Sequence, residues 1–144
     1  PEGDGFAELI KKYHERYNTA IMITETSAVG SEEIRERWLE SSINVIKGMR
    51  GEGVPVIGYT WFPLFTMIDW RYRFSDAPLE EFYLELGLYR INREQAKPRW
   101  LDTPLVDMFR RLASDPKESV GDLAVVPRPQ RSQEIPPFAT VESY

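Results

Sequence analysis

The stretch Ala20-Ile21-Met22-Ile23-Thr24-Glu25 decides the fold. It is short, apolar and rich in β-branched residues, as a strand covered on both faces should be, and it stops at a carboxylate. Ahead of it, Phe6, Leu9, Ile10, Tyr13 and Tyr17 recur at helical spacing, which predicts a helix over 4–17 with Asp4 as N-cap and Asn18-Thr19 as its end. Behind it comes a loop of small and polar residues, 26–30. Ser31 then caps a second helix that has Glu32 and Glu33 in its first turn, where the helix dipole favours negative charge. That helix is expected to run to about Arg50, with Ile34, Trp38, Val45, Ile46 and Met49 as its buried stripe, and to end at Gly51 and Gly53. Val54-Pro55-Val56-Ile57-Gly58-Tyr59-Thr60-Trp61 reads as the next apolar strand, with Pro55 at its start where a missing donor is tolerated. Helix, strand, helix, strand with short joins is the pattern of an α/β fold with a parallel sheet.

Beyond Trp61 the pattern loosens. Residues 62–76 form an aromatic, irregular segment, long for a connecting loop and therefore expected to carry function. A short helical turn is predicted over 79–86 and a short extended piece over 88–91. A last helix is predicted over 101–113, started by Asp102-Thr103-Pro104. From Ser114 onward Pro116, Pro127, Pro129, Pro136 and Pro137 predict an extended or partly disordered tail. The expected division is a folded unit over 1–113 and a Pro-rich tail over 114–144.

Composition removes several classes of function. A net charge of −5 with no basic run argues against nucleic-acid binding, which depends on clustered cations. No apolar stretch approaches the roughly 18 residues of a membrane span. The chain has no cysteine, which excludes disulfides and thiolate metal sites. Its one histidine, His14, sits on a predicted helix surface and makes a His-based metal site or a Ser-His-Asp triad hard to build. No metal and no cofactor are expected. The pair Glu32-Glu33 is read as a helix start and not as a metal site.

Glu25 is the leading catalytic candidate. A carboxylate at the C-terminal end of a buried parallel strand stands where (β/α)8 barrels build their active sites. The alternative is a glutamate that pairs with its own loop. A resemblance bears on the choice. Tyr13-His14-Glu15-Arg16-Tyr17-Asn18-Thr19-Ala20-Ile21-Met22-Ile23-Thr24-Glu25 resembles the seventh-strand region of family 1 glycoside hydrolases, the β-glucosidases and β-galactosidases among them. That region carries Tyr-x-x-Arg-Tyr and then a strand ending Ile-Thr-Glu-Asn-Gly. Arg16-Tyr17 and Ile23-Thr24-Glu25 match, while Thr26-Ser27 stand in place of Asn-Gly. Gly58-Tyr59-Thr60-Trp61-Phe62-Pro63-Leu64-Phe65-Thr66-Met67-Ile68-Asp69-Trp70 is similar to the eighth-strand segment of the same family, Gly-Tyr-Phe-Ala-Trp-Ser-Leu-Leu-Asp-Asn-Phe-Glu-Trp. Gly58, Tyr59, Leu64 and Trp70 match in place. Asp69 falls where the family has a sugar-binding Glu, and Phe62 falls where it has a sugar-stacking Trp, one place after Trp61. Leu86-Gly87-Leu88-Tyr89-Arg90-Ile91-Asn92 and Lys97-Pro98-Arg99-Trp100 resemble the segments before the family's last helix, so the likeness spans roughly 6–113.

The resemblance implies the C-terminal part of a (β/α)8 TIM barrel, incomplete on its own, since a whole barrel needs roughly 250 residues. It implies a retaining β-glycosidase with Glu25 as nucleophile and Tyr59, Trp61, Phe62, Asp69 and Trp70 as substrate-binding residues. Trp61 and Trp70 serve either the cleft or the barrel core. Arg16 is read as structural, Trp38 as helix-to-sheet packing and Trp100 as packing the last helix onto the barrel. Retaining hydrolysis needs a second carboxyl group about 5 Å from the first. The family places it in an Asn-Glu-Pro motif that this sequence lacks. The expected partners are a β-linked glycoside or oligosaccharide and a second chain or fragment carrying the remaining strands, and the expected location is cytoplasmic more than secreted. The departures at Thr26, Phe62 and Asp69 keep a non-catalytic, sugar- or partner-binding barrel as the alternative.

Overall fold

A computed structural model describes residues 3–92 and 99–114. The Pro-rich tail after Ser114 and the Lys97-Pro98 pair lie outside the described residues. The order is α1 (Asp4–Tyr17), β1 (Ile21–Thr26), α2 (Glu32–Gly51), β2 (Val56–Trp61), β3 (Met67–Ile68), β4 (Tyr83–Leu84), β5 (Tyr89–Asn92), β6 (Arg99–Asp102) and α3 (Pro104–Ala113). Single 3-10 turns at Trp70–Phe74 and Leu79–Phe82 lie between β3 and β4. Among the described residues no helix is long and apolar enough to cross a membrane.

The predicted helix, strand, helix, strand order is present, and β1 and β2 pair in parallel. β3–β4 and β5–β6 are antiparallel pairs of their own, so the described residues form three two-stranded sheets and no closed barrel. α1 starts one residue earlier than its cap assignment: Gly3, at φ 103, is the N-cap and Asp4 already belongs to the helix. Its end is a left-handed Asn18 whose N–H donates to the His14 carbonyl. β6 takes Leu101 and Asp102 out of the expected last helix, which begins at Pro104 after the N-cap Thr103.

The core lies between the β1–β2 pair and its helices. Ile10, Ile46, Met49, Val54 and Val56 form one buried cluster; Leu39, Trp61, Leu88, Leu105 and Val106 form the other. The buried stripe of α2 is Arg35, Leu39, Ser42, Ile46 and Met49, one position away from the expected stripe at its start. Ile34 is exposed. The apolar count misplaces the stripe because two of its members are polar, and each makes a hydrogen bond inside the fold.

The segment between β4 and β5 shows how. It belongs to no helix or strand, so its carbonyls need side-chain partners. Trp61 Nε1 donates to the Leu86 carbonyl at 2.9 Å, Arg35 to the Gly87 carbonyl at 2.9 Å, and the Thr103 hydroxyl to the Leu88 carbonyl at 2.7 Å. Three consecutive carbonyls are thus held by β2, α2 and the cap of α3. Trp100, expected under the last helix, instead sits on β6 with its ring 4.4 Å from that of Phe65.

Candidate functional site

The C-terminal ends of β1 and β2 lie side by side. Thr26 pairs with Trp61, and the Phe62 N–H donates to the Thr26 carbonyl at 3.0 Å. Glu25 and Phe62 therefore flank one point on the sheet's edge, both exposed. A cis peptide joins Phe62 to Pro63 and starts the aromatic segment that follows.

The register between the strands is not uniform. Ile21 pairs with Val56, Met22 with Gly58, Ile23 with Tyr59 and Thr26 with Trp61. β2 thus carries an extra residue near Ile57, and β1 carries an extra residue at Thr24-Glu25. Ile21 and Ile23 pack into the helix-side core, whereas Met22 lies against Gly58, where an added Cβ would come within 3.1 Å of the Met22 Cγ. Unbroken alternation from Ile23 would send Glu25 into the helix layer. The extra residue reverses this: Thr24 and Glu25 are exposed, and the Thr26 hydroxyl accepts from Trp38 Nε1 of α2 at 2.8 Å. A bulge that re-aims a side chain beside an active site is a recurrent device.

The expected sugar-binding residues separate into two groups. Tyr59 and Trp61 turn into the helix layer, so of the two places open to Trp61 the core is the one it takes. Trp61 is 5% exposed among Leu39, Leu88 and Leu105, so both faces of its indole are covered. The Tyr59 hydroxyl lies 2.8 Å from that of Ser42, and burial pushes its pKa up to about 12, partly opposed by the Ser42 hydrogen bond. These two residues pack α2 against the strands.

Phe62, Asp69 and Trp70 remain at the surface or near it. Phe62 is 43% exposed and Trp70 67% exposed, the latter with the Arg73 guanidinium 4.4 Å above its ring. That distance is within cation–π range. Asp69 caps the turn Trp70–Phe74 by accepting from the Arg71 N–H at 2.8 Å. Its other oxygen takes the Arg71 Nε at 2.9 Å and a terminal nitrogen at 2.6 Å. The hydrogen bonds from Arg71 hold the Asp69 carboxyl below the usual carboxylate range. Asp69 is therefore closed onto its own turn. Arg16 lies over the Tyr17 ring at 5.4 Å on α1, and the His14 ring reaches the Thr19 carbonyl at 3.2 Å, so both act within their own helix and its end. Among the described residues no group of three or more His, Cys, Asp or Glu could hold a metal ion.

Sequence reasoning missed the residues that set this geometry. Thr26, Arg35, Ser42 and Thr103 are polar and look like loop or helix-surface positions. For Arg35 and Ser42 a signal existed: they fall at i, i+4 and i+7 with Leu39, in phase with Ile46 and Met49.

No family model and no curated protein matches the sequence. Solved structures do. The chain is similar to a β-glucosidase from Exiguobacterium marinum at 17% identity and TM-score 0.61, covering 81% of this chain and 26% of that one. It is similar to an aphid myrosinase at 21% identity and TM-score 0.62, covering 76% and 23%. The β-glycosidase from the hyperthermophile Thermosphaera aggregans gives 24% identity and TM-score 0.61, covering 76% and 21%. At such identities the likeness is one of fold. The neighbours are TIM-barrel glycosidases, and this chain matches a portion of them. It spans about a quarter of the length of the first of them.

Proposed function

We propose that this chain is the active-site portion of a retaining β-glycosidase of family 1, with Glu25 as its nucleophile. The observation that carries the reading is the exposed carboxylate of Glu25 at the C-terminal end of a parallel strand in a barrel-type fold, beside the exposed ring of Phe62. The Tyr-x-x-Arg-Tyr and Ile-Thr-Glu matches of the sequence, in the same order and spacing, support it.

In this reading Glu25 attacks the anomeric carbon of a β-linked glycoside, and the aglycone leaves with a proton from a second carboxyl group about 5 Å away. Water then cleaves the glycosyl ester and restores Glu25. The acid/base residue belongs to strands outside this sequence, supplied by the remainder of a longer polypeptide or by a second chain. Phe62 and Trp70 offer faces for the apolar side of a sugar ring.

The test is Glu25→Gln in the complete barrel, assayed on aryl β-glycosides. A loss of turnover of about 10^3-fold or more is expected, the scale on which removal of a catalytic group acts. A 2-fluoro glycoside should also leave its sugar on the peptide that contains Glu25. Unchanged turnover, or an adduct on another residue, rejects the assignment.

A second reading is a barrel that binds sugars or a partner without hydrolysis. It is favoured by the closure of Asp69 onto Arg71 and by the burial of Trp61, which together leave fewer polar and aromatic contacts for a sugar. Trapping of a glycosyl adduct on Glu25 would exclude it.

A further inference from the structure

The geometry points to Trp38 and Thr26 as positioning residues for the Glu25 carboxylate: the bond between the Trp38 indole and the Thr26 hydroxyl decides which side of β1 Glu25 faces. This rests on the reading of Glu25 as nucleophile for its kinetic consequence, though not for its structural one.

Three observations combine. Thr26 is gripped twice, through its hydroxyl by Trp38 Nε1 at 2.8 Å and through its carbonyl by the Phe62 N–H at 3.0 Å. The extra residue of β1 falls in the only interval that this grip can strain, between Ile23, which is fixed in the helix-side core, and Thr26. Trp38 is itself packed, its ring 5.7 Å from that of Phe6 on α1 and against the cluster around Leu39.

The energetic argument follows. With Ile23 and Thr26 both turned toward the helices, three chain steps must be fitted where alternation allows two or four. Thr24 and Glu25 absorb the misfit on the exposed side. Without the indole bond a regular strand competes: Thr26 swings out and Glu25 swings in. That alternative buries a carboxylate with no partner, yet it restores two ladder pairings. The bond is part-buried, and an indole N–H left there without its acceptor is penalised, so losing the bond weighs against the present arrangement. The family-like Ile-Thr-Glu segment here continues with Thr26, whose hydroxyl is the acceptor. A valine at this place would keep the shape and lose the acceptor.

The experiment measures the exposure of Glu25 directly. The full chain, joined to the rest of its barrel where that is required for solubility, is labelled with a carbodiimide and an amine, and modification of each carboxylate is read by mass spectrometry. Thr26→Val removes the bond while keeping shape, Trp38→Phe removes it with an aromatic ring kept, and Thr26→Ser retains the hydroxyl. Expected is a several-fold fall in Glu25 labelling for Thr26→Val and Trp38→Phe, with Glu8 and Glu15 on α1 unchanged and Thr26→Ser close to the parent. In the complete barrel kcat should fall in the same two variants with KM nearly constant, and Thr26→Ser should recover it. Folded variants with unchanged Glu25 labelling overturn the proposal. So does general loss of fold in both variants, which would make the bond a support for the whole core. Altered labelling with unaltered kcat leaves the positioning intact and instead rejects Glu25 as nucleophile.

Discussion

The guanidinium of Arg35, at the start of the buried face of α2, donates to the Gly87 carbonyl at 2.9 Å across the layer between helix and loop. Its Nε finds no acceptor among the described residues. A cation is thus buried for the sake of one well-placed bond. Removing the charge and removing only the fork should have different consequences. Arg35→Met loses the bond but also the buried charge, and should cost about 1–2 kcal/mol in urea unfolding. Arg35→Lys keeps a charge that cannot reproduce the planar fork, and should cost more, about 3 kcal/mol or above. The reverse order would show that the guanidinium is satisfied elsewhere.

Gly87 itself admits no side chain. A Cβ there would stand 2.5 Å from the Phe65 carbonyl carbon and 2.7 Å from its oxygen, both backbone atoms. Gly87→Ala must push the segment that begins at Phe62 away from the Leu86–Leu88 carbonyls. The expected cost is about 1–3 kcal/mol, typical of overpacking. Fluorescence of Trp61, whose indole is tied to Leu86, should redden in the folded variant as water reaches it.

Tyr59 predicts an alkaline weakness. Its folded pKa stands at about 12 against 10.0, because burial disfavours the phenolate. Between these values the unfolded chain has released the proton and the folded chain has kept it. Stability from this group is complete below about pH 10 and is lost as pH rises toward 12, by roughly 2–3 kcal/mol at ~1.4 kcal/mol per unit. Tyr59→Phe should cost about 1 kcal/mol at neutral pH through the lost Ser42 bond and flatten the decline above pH 10. Denaturation midpoints between pH 8 and 12 check both effects.

Asp69 predicts the opposite arm. Arg71 depresses its pKa from 3.8, so the pairing contributes above that value and is lost as pH falls through the lower folded one. Arg71→Ala should return the Asp69 titration toward 3.8 when followed by carbon NMR of its carboxyl. It should also free the carboxylate for a ligand. If Asp69 serves a sugar hydroxyl in the complete barrel, Arg71→Ala tightens sugar binding; weaker binding would assign Arg71 itself to the ligand.

The framework was legible in the residues where period and chemistry agree. Ala20–Glu25 and Val54–Trp61 are apolar and β-branched, and Ser31 with the glycines at 51 and 53 brackets α2, so α1, β1, α2 and β2 could be drawn from the sequence. The stripe of α2 was drawn one position off at its start because hydrophobicity cannot announce a buried arginine. Arg35 is inside only because Gly87, 52 residues later, offers a carbonyl. β6 was hidden because Arg99-Trp100-Leu101-Asp102 is a strand by pairing with β5 and not by pattern.

The candidate site was legible in outline, and its facing was not. Glu25 at a strand end could be singled out, but its side was not readable, since a strict two-residue period turns it toward the helices. Only the register against β2 reveals the extra residue. The same limit applies to Tyr59 and Trp61. A family-like order of aromatics placed them near a sugar, while the structure uses Trp61 as a donor to Leu86 and Tyr59 as a partner for Ser42. Aromatic residues fit a cleft and a core equally well by composition, and only burial separates the two.

The bulge in β1 has a mechanical side. Thr24 and Glu25 have no Cα partner on β2, while Ile23 and Thr26 on either side of them do. Glu25 therefore sits on a short link without ladder partners, strung between two paired points. A side chain on such a link can shift without breaking a ladder pair of its own. If Glu25 is the proposed nucleophile, which must close on a carbon atom, hold it and let it go again, an unpaired link suits the task.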